Sequence, residues 1–191
     1  MNHNNEDWSI VESCLNGNRE AYALLVKKYE KSVFNIVCRL IGTTEEARDI
    51  TQETFIKAYK SLRQVKPEFK FSNWLFKIAT NLCKDRLKKR KITAVSLNEF
   101  DYLLDQEISH ENKDSLLDYQ KNLIPTDEQE QVQRAISNLP FIYRRVVVLR
   151  YIQDLTYQEI ADILEMPLGR VKVQLHRAHQ ILYDQLSDML K

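Results

Sequence analysis

The chain has 191 residues, 28 Lys+Arg against 27 Asp+Glu, a formal net charge of +1 and 43% hydrophobic residues. That is room for one or two small soluble domains, and no apolar run approaches the roughly 20 residues of a membrane span. The polar, acidic start "MNHNNEDWSIVES" does not read as a signal peptide, and Cys14, Cys38 and Cys83 form neither a disulfide framework nor a zinc spacing. A cytoplasmic protein is therefore expected, with each cysteine in an apolar helical run as a core residue.

In chain order, a short N-terminal helix is followed by "REAYALLVKKYEKSVFNIVCRLIG". There Tyr22, Leu25, Val26, Tyr29, Val33, Ile36, Val37, Leu40 and Ile41 recur at helical spacing. "TTEEARDITQETFIKAYKSLRQV" opens on a threonine cap and acids and closes on basic residues, the order a helix dipole favours. Asp49 and Glu53, four apart, share one face with Gln52 beside them. Such a pair can bind metal or act as acid and base. With no histidine or nucleophile nearby, a protein-docking face is a stronger reading than either chemistry, and an ordinary solvated helix face is an equal alternative. A metal-dependent nuclease using Glu45, Asp49 and Glu53 is a remote third.

"FSNWLFKIATNLCKDRLKKRK" places Trp74, Leu75, Ile78, Ala79, Leu82, Arg86 and Leu87 on one side, and its end, "CKDRLKKRK", holds six cations and one acid. A basic helix end beside aromatics suits a nucleic-acid backbone, since each phosphate contact releases counterions. The loop before it, "KPEFKFSN", sets Phe69 and Phe71 between lysines. Aromatics among cations suit unstacked bases, and two core phenylalanines are an equal alternative.

Charge divides the chain. Residues 1–92 hold 18 Lys+Arg against 11 Asp+Glu, residues 93–131 hold 2 against 10, and residues 132–191 hold 8 against 6. The acidic stretch 93–127 loses helical periodicity and reads as a linker, with a transient helix near 113–123. Helices resume at Glu128. The fold expected is all-α: a four-helix domain within 1–92, the linker 93–127, and four short helices within 128–191.

The last of these carry "EIADILEMPLGRVKVQLHRA". Thr156 and Glu159 fit a capping box, so a helix starts near Tyr157. Pro167 suits the first turn of the next, in which Val171, Leu175, Ala178 and Leu182 share a face. This is a helix-turn-helix pattern. The opposite arc carries Gly169, Arg170, Val173, His176, Arg177 and Gln180, with Lys172 and Gln174 on the flanks. Gly169 leaves the first turn open to a phosphate or base edge.

The order "DITQETFIKAYKSL", "FSNWLFKIATNLCKDRLKKRK", "LPFIYRRVVVLRYIQDLTYQEIADILEMPLGRVKVQLHRA" closely resembles the bacterial sigma-70 family, specifically its extracytoplasmic-function (ECF, group IV) members, over about residues 10–92 and 128–186. The resemblance implies a dissociable RNA polymerase subunit, not an enzyme, with no cofactor or metal. It implies core polymerase docking by Asp49, Gln52, Glu53 and Phe55 on the clamp coiled coil, with "LPFIYRRVVVLRYI" meeting the flap. Minus-10 recognition and strand opening would use Phe71, Asn81, Asp85, Arg86 and Lys88. Minus-35 recognition would use Gly169, Arg170, Lys172, Val173, Gln174, His176 and Arg177. It further implies an anti-sigma factor, often membrane-bound, that holds the protein inactive. Two departures stand out. Relatives often carry glycine where this chain has Glu165, and Arg170, Val173 and Gln174 replace the usual Thr, Ser and Arg, so the usual minus-35 sequence is not assumed. The alternative is a stand-alone helix-turn-helix regulator, which needs neither the docking helix nor the aromatic loop.

Overall fold

The computed structural model describes residues 3–92 and 127–189. The linker stretch and the helix expected near 113–123 lie outside the described residues; Asp127 alone of the stretch is seen, as the first residue of a helix. Among the described residues the chain is all-α, with no strand. The helices are α1 (His3–Leu15), α2 (Tyr22–Ile41), α3 (Thr44–Lys60), α4 (Phe71–Ile92), α5 (Asp127–Asn138), α6 (Phe141–Val147), α7 (Tyr157–Leu164) and α8 (Leu168–Met189). A π turn, Val148–Ile152, extends α6.

The boundaries follow local chemistry. Gly42 ends α2 with φ 88° and its N–H bonded to the Cys38 carbonyl, a left-handed cap that suits glycine. Thr43 is the N-cap of α3, its hydroxyl donating to Glu46 Oε2 at 2.9 Å. The capping box expected at α7 is present: the Glu159 N–H donates to Thr156 Oγ1 at 3.2 Å, and the Thr156 N–H donates to Glu159 Oε2 at 2.9 Å.

Helices α2, α3 and α4 pack on one another around Leu25, Ile36, Leu40, Ile50, Phe71 and Leu75, all fully buried. Cys38 and Cys83 lie in this core, where burial pushes both thiols up; Cys14 is half-buried against it. Helix α1 docks through Val11 and through buried Asp7, which accepts from Lys28 Nζ at 2.6 Å and from the Tyr29 hydroxyl. In the C-terminal half, α8 packs on α6, α7 and α5, and Val171, Leu175 and Ala178 are buried there as their spacing requires.

The two halves also meet. Helix α2 packs against α6 and the π turn, α4 packs against α7, and the buried side chains form one continuous cluster across both halves. The Arg144 guanidinium lies at the join, 6% exposed. Its Nε and Nη2 donate to the Leu139 carbonyl at 3.2 and 2.9 Å, and its Nη1 donates to the Leu40 carbonyl of α2 at 3.1 Å. Burial pushes its pKa down to about 10, so it remains charged at neutral pH.

Candidate nucleic-acid and polymerase interface

Helix α3 turns Ala47, Ile50, Thr51, Thr54, Phe55 and Ala58 inward. Asp49 and Gln52 therefore project outward, and Glu53 is half-buried, 3.5 Å from Lys57 Nζ and 3.9 Å from Arg86 Nη2. Beside this polar row α2 and α3 open a groove of about 540 Å³, lined by Glu30, Lys31, Phe34, Arg48, Thr51 and Gln52. The walls of this groove are charged and its floor carries the Phe34 ring. Phe55 is a correction to the expected docking set. It is 7% exposed on the inner face, with its carbonyl accepting the Tyr22 hydroxyl at 2.8 Å, so its role is to hold α3 on α2.

Helix α4 exposes Asn81, Asp85, Lys88 and Lys89. Arg86 lies on its α3 side, 3.7 Å from Glu46 and 3.9 Å from Glu53, and Arg90 pairs with Glu46. Arg86 thus braces α3 from α4, whereas the sequence pattern offered it to DNA. Phe71 is a further correction. It is fully buried at the start of α4, its ring 5.7 Å from those of Tyr29 and Trp74, and no base can stack on it. Phe69, 52% exposed in the preceding loop, is the aromatic left free to stack. The lysine-flanked pattern marked both phenylalanines; only the helix start at residue 71 separates them.

On α8, Gly169, Arg170, Lys172, His176 and Arg177 are exposed, and Val173 is 50% exposed between them. A side chain at Gly169 would meet open space, so nothing inside the protein requires glycine there. Gln174 is a third correction: it is 9% exposed, its Oε1 buried without a hydrogen-bond partner. Three residues after Val171 and four before Ala178, it rotates into the packed side of the helix. Arg170 and Val173 then carry the departures at the exposed face. Glu165, between α7 and α8, has φ 51° and ψ 48°, the left-handed conformation that glycine adopts without strain.

The description "Sigma-70 region 2" matches residues 25–92, and "Sigma-70, region 4" matches residues 129–182. The chain is 35% identical over 189 residues to "ECF RNA polymerase sigma factor SigW" of Bacillus subtilis, covering 94% of this chain and 96% of that one. It is 28% identical to the "ECF RNA polymerase sigma-E factor" of Escherichia coli K12, covering 97% and 96%. Its fold is similar to that of the sigma factor RpoE solved with the anti-sigma factor NepR from Bartonella quintana, with a TM-score of 0.64, 18% identity and coverage of 87% and 96%. It is similar to CnrH solved with the cytosolic domain of CnrY, with a TM-score of 0.64, 21% identity and coverage of 94% and 96%.

Proposed function

This chain belongs to the sigma-70 family, in its extracytoplasmic-function group, and from that membership we propose how its surfaces divide the work of a transcription initiation factor. A sigma factor is a dissociable subunit that directs bacterial RNA polymerase to promoters. Core polymerase supplies the chemistry and the sigma subunit supplies promoter choice and help in strand opening. The observation that carries the assignment of surfaces is that one chain presents three outward faces in the family order: the polar row of α3, the stripe of α4 and the arc of α8.

Asp49, Gln52 and Glu53 dock the polymerase clamp coiled coil, with the α2–α3 groove beside them taking part of the partner helix. Asn81, Asp85 and Lys88 follow the minus-10 element, and Phe69 offers a ring to an unstacked base. Arg170, Lys172, Val173, His176 and Arg177 enter the major groove at the minus-35 element, with Gly169 allowing close approach. Helix α6 and the π turn meet the flap. An anti-sigma factor is a further partner, able to hold this chain at the membrane; the two solved relatives above were each captured with one. No helix among the described residues is long and apolar enough to cross a membrane, so such tethering would come from the partner.

Affinity capture of core polymerase by the full chain tests the assignment. Binding that other sigma factors displace is expected; no binding, with tight binding to duplex DNA alone, would support a stand-alone regulator.

Two substitutions test the DNA faces. Val173 is half-exposed on the outward arc of α8, so its methyls meet a thymine methyl. Val173→Ser should change the preferred minus-35 base at one position, and an unchanged preference across a promoter library would rule the contact out. Lys88→Ala with Lys89→Ala should weaken promoter binding by the holoenzyme and reduce its salt slope by about 2. An identical slope would remove these lysines from the backbone contacts.

A further inference from the structure

Helix α1 touches both ends of the loop that carries Phe69. It packs on the 3-10 turn Leu62–Gln64, where that loop begins, and on α4, where it ends. One of its anchors is polar and buried. The Asp7 carboxylate is 3% exposed; it accepts from Lys28 Nζ at 2.6 Å through one oxygen and from the Tyr29 hydroxyl through the other. Lys28 also donates to Glu6, on the exposed side, at 3.1 Å.

A buried carboxylate is a costly way to dock a helix, and an apolar side chain of similar volume would serve packing at less cost. What the carboxylate adds is direction. It fixes the Tyr29 hydroxyl and with it the angle of the ring. That ring lies 5.7 Å from the Phe71 ring at 47°, and the Phe71 ring lies 5.7 Å from that of Trp74 at 48°. Burial and the bond to Asp7 raise the pKa of the Tyr29 phenol, so the hydroxyl keeps its proton and stays a donor. The Ser72 hydroxyl, in the first turn of α4, works on the same phenol in the opposite direction. Tyr29 is thus engaged by α1 on one side and by the start of α4 on the other.

Phe71 is the first residue of α4 and fully buried, so it meets no base itself. It stands two residues after the exposed Phe69, and the backbone around both is pinned. The Phe69 N–H donates to the Lys66 carbonyl at 3.2 Å, and the Asn73 and Trp74 N–H groups donate to the Lys70 carbonyl at 3.0 and 3.3 Å. A shift of Phe71 is therefore passed to Phe69 with little slack.

We infer that Asp7 and Tyr29 are positioning residues for strand opening: the carboxylate of α1 aims the Tyr29 ring, that ring seats Phe71, and the seated Phe71 fixes where Phe69 stands. The role rests on the sigma-factor reading, in which Phe69 offers its ring to an unstacked base.

Tyr29→Phe tests this relay, because it keeps the ring and removes only the hydroxyl. In the free full-length chain, hydrogen exchange at the amides of residues 66–71 should speed by about fivefold or more, with exchange in α8 unchanged. Loop exchange equal to the parent's would overturn the relay. In the holoenzyme, on a promoter that the parent opens, permanganate reactivity of the minus-10 thymines should fall by about tenfold, the scale of one hydrogen bond to a charged group. Affinity for core polymerase should stay within about twofold. Unchanged opening would overturn the inference.

Two further variants separate positioning from plain stability. Phe69→Ala should also lower opening, and adding Tyr29→Phe to it should change opening by less than about twofold, since both act through one ring. Losses that multiply would reduce Tyr29 to a support of the fold. Asp7→Asn keeps an oxygen that accepts from Tyr29 and should open within about threefold of the parent, whereas Asp7→Leu, which docks α1 by apolar packing alone, should open as poorly as Tyr29→Phe. Full opening by Asp7→Leu would sink the relay. A parent chain that fails to load polymerase would strike the sigma-factor reading, while loop exchange in the free chain would still decide whether Tyr29 holds the loop.

Discussion

Replacing Arg144 with alanine is expected to destabilise the protein by about 3 kcal/mol, the largest single-residue loss foreseen here. The side chain is buried, and its three donating nitrogens serve two backbone carbonyls, Leu139 at the end of α5 and Leu40 near the end of α2. Truncation leaves both carbonyls without that donor in a dry contact, at roughly 1–3 kcal/mol each, and opens a cavity besides. Because one of the two belongs to the opposite half, the variant should also loosen the halves from each other. Arg144→Lys should recover only part of the loss, since a single ammonium cannot replace a fork that reaches two acceptors in different directions. Urea denaturation measures both. A change below about 0.5 kcal/mol for alanine would mean the guanidinium does not hold this join.

The second large effect concerns binding. Asp49→Ala combined with Gln52→Ala is expected to weaken association with core polymerase by at least about thirtyfold, the scale of a contact worth 2 kcal/mol or more at an interface centre. Both residues are exposed on α3 and neither supports the core, so thermal unfolding should change little. Glu53 is a less clean target, because it also pairs with Lys57 and Arg86. Affinity unchanged within a factor of two would move the docking surface elsewhere.

Most of the helical fold is legible in the sequence because helix periodicity and caps are local. The threonine before α3, the capping box of α7, the left-handed glycine after α2 and the buried stripe of α8 each need only a few neighbouring residues to be read. Site residues are less legible wherever exposure depends on what packs above them. Phe69 and Phe71 share a composition, yet the first turn of α4 buries one and leaves the other outside. Phe55 and Gln174 lie within motifs whose neighbours face outward, but a helix face is set by rotation and both rotate inward. Arg86 and Arg90 look like free cations in "CKDRLKKRK"; the carboxylates that engage them come from α3, some forty residues earlier in the chain. The packing of α7 on α4 has no local signal, since Glu165 meets Lys77, which lies 88 residues away in the chain.

The most direct test of the central claim is transcription in vitro from a fragmented genomic template, using core polymerase with and without the full-length chain, followed by mapping of RNA 5′ ends. New start sites are expected only when the chain is added, each preceded by one shared pair of minus-10 and minus-35 elements, and they should be lost with Asp49→Ala/Gln52→Ala. Transcripts unchanged by the chain, from polymerase that responds to another sigma factor in the same assay, would contradict it.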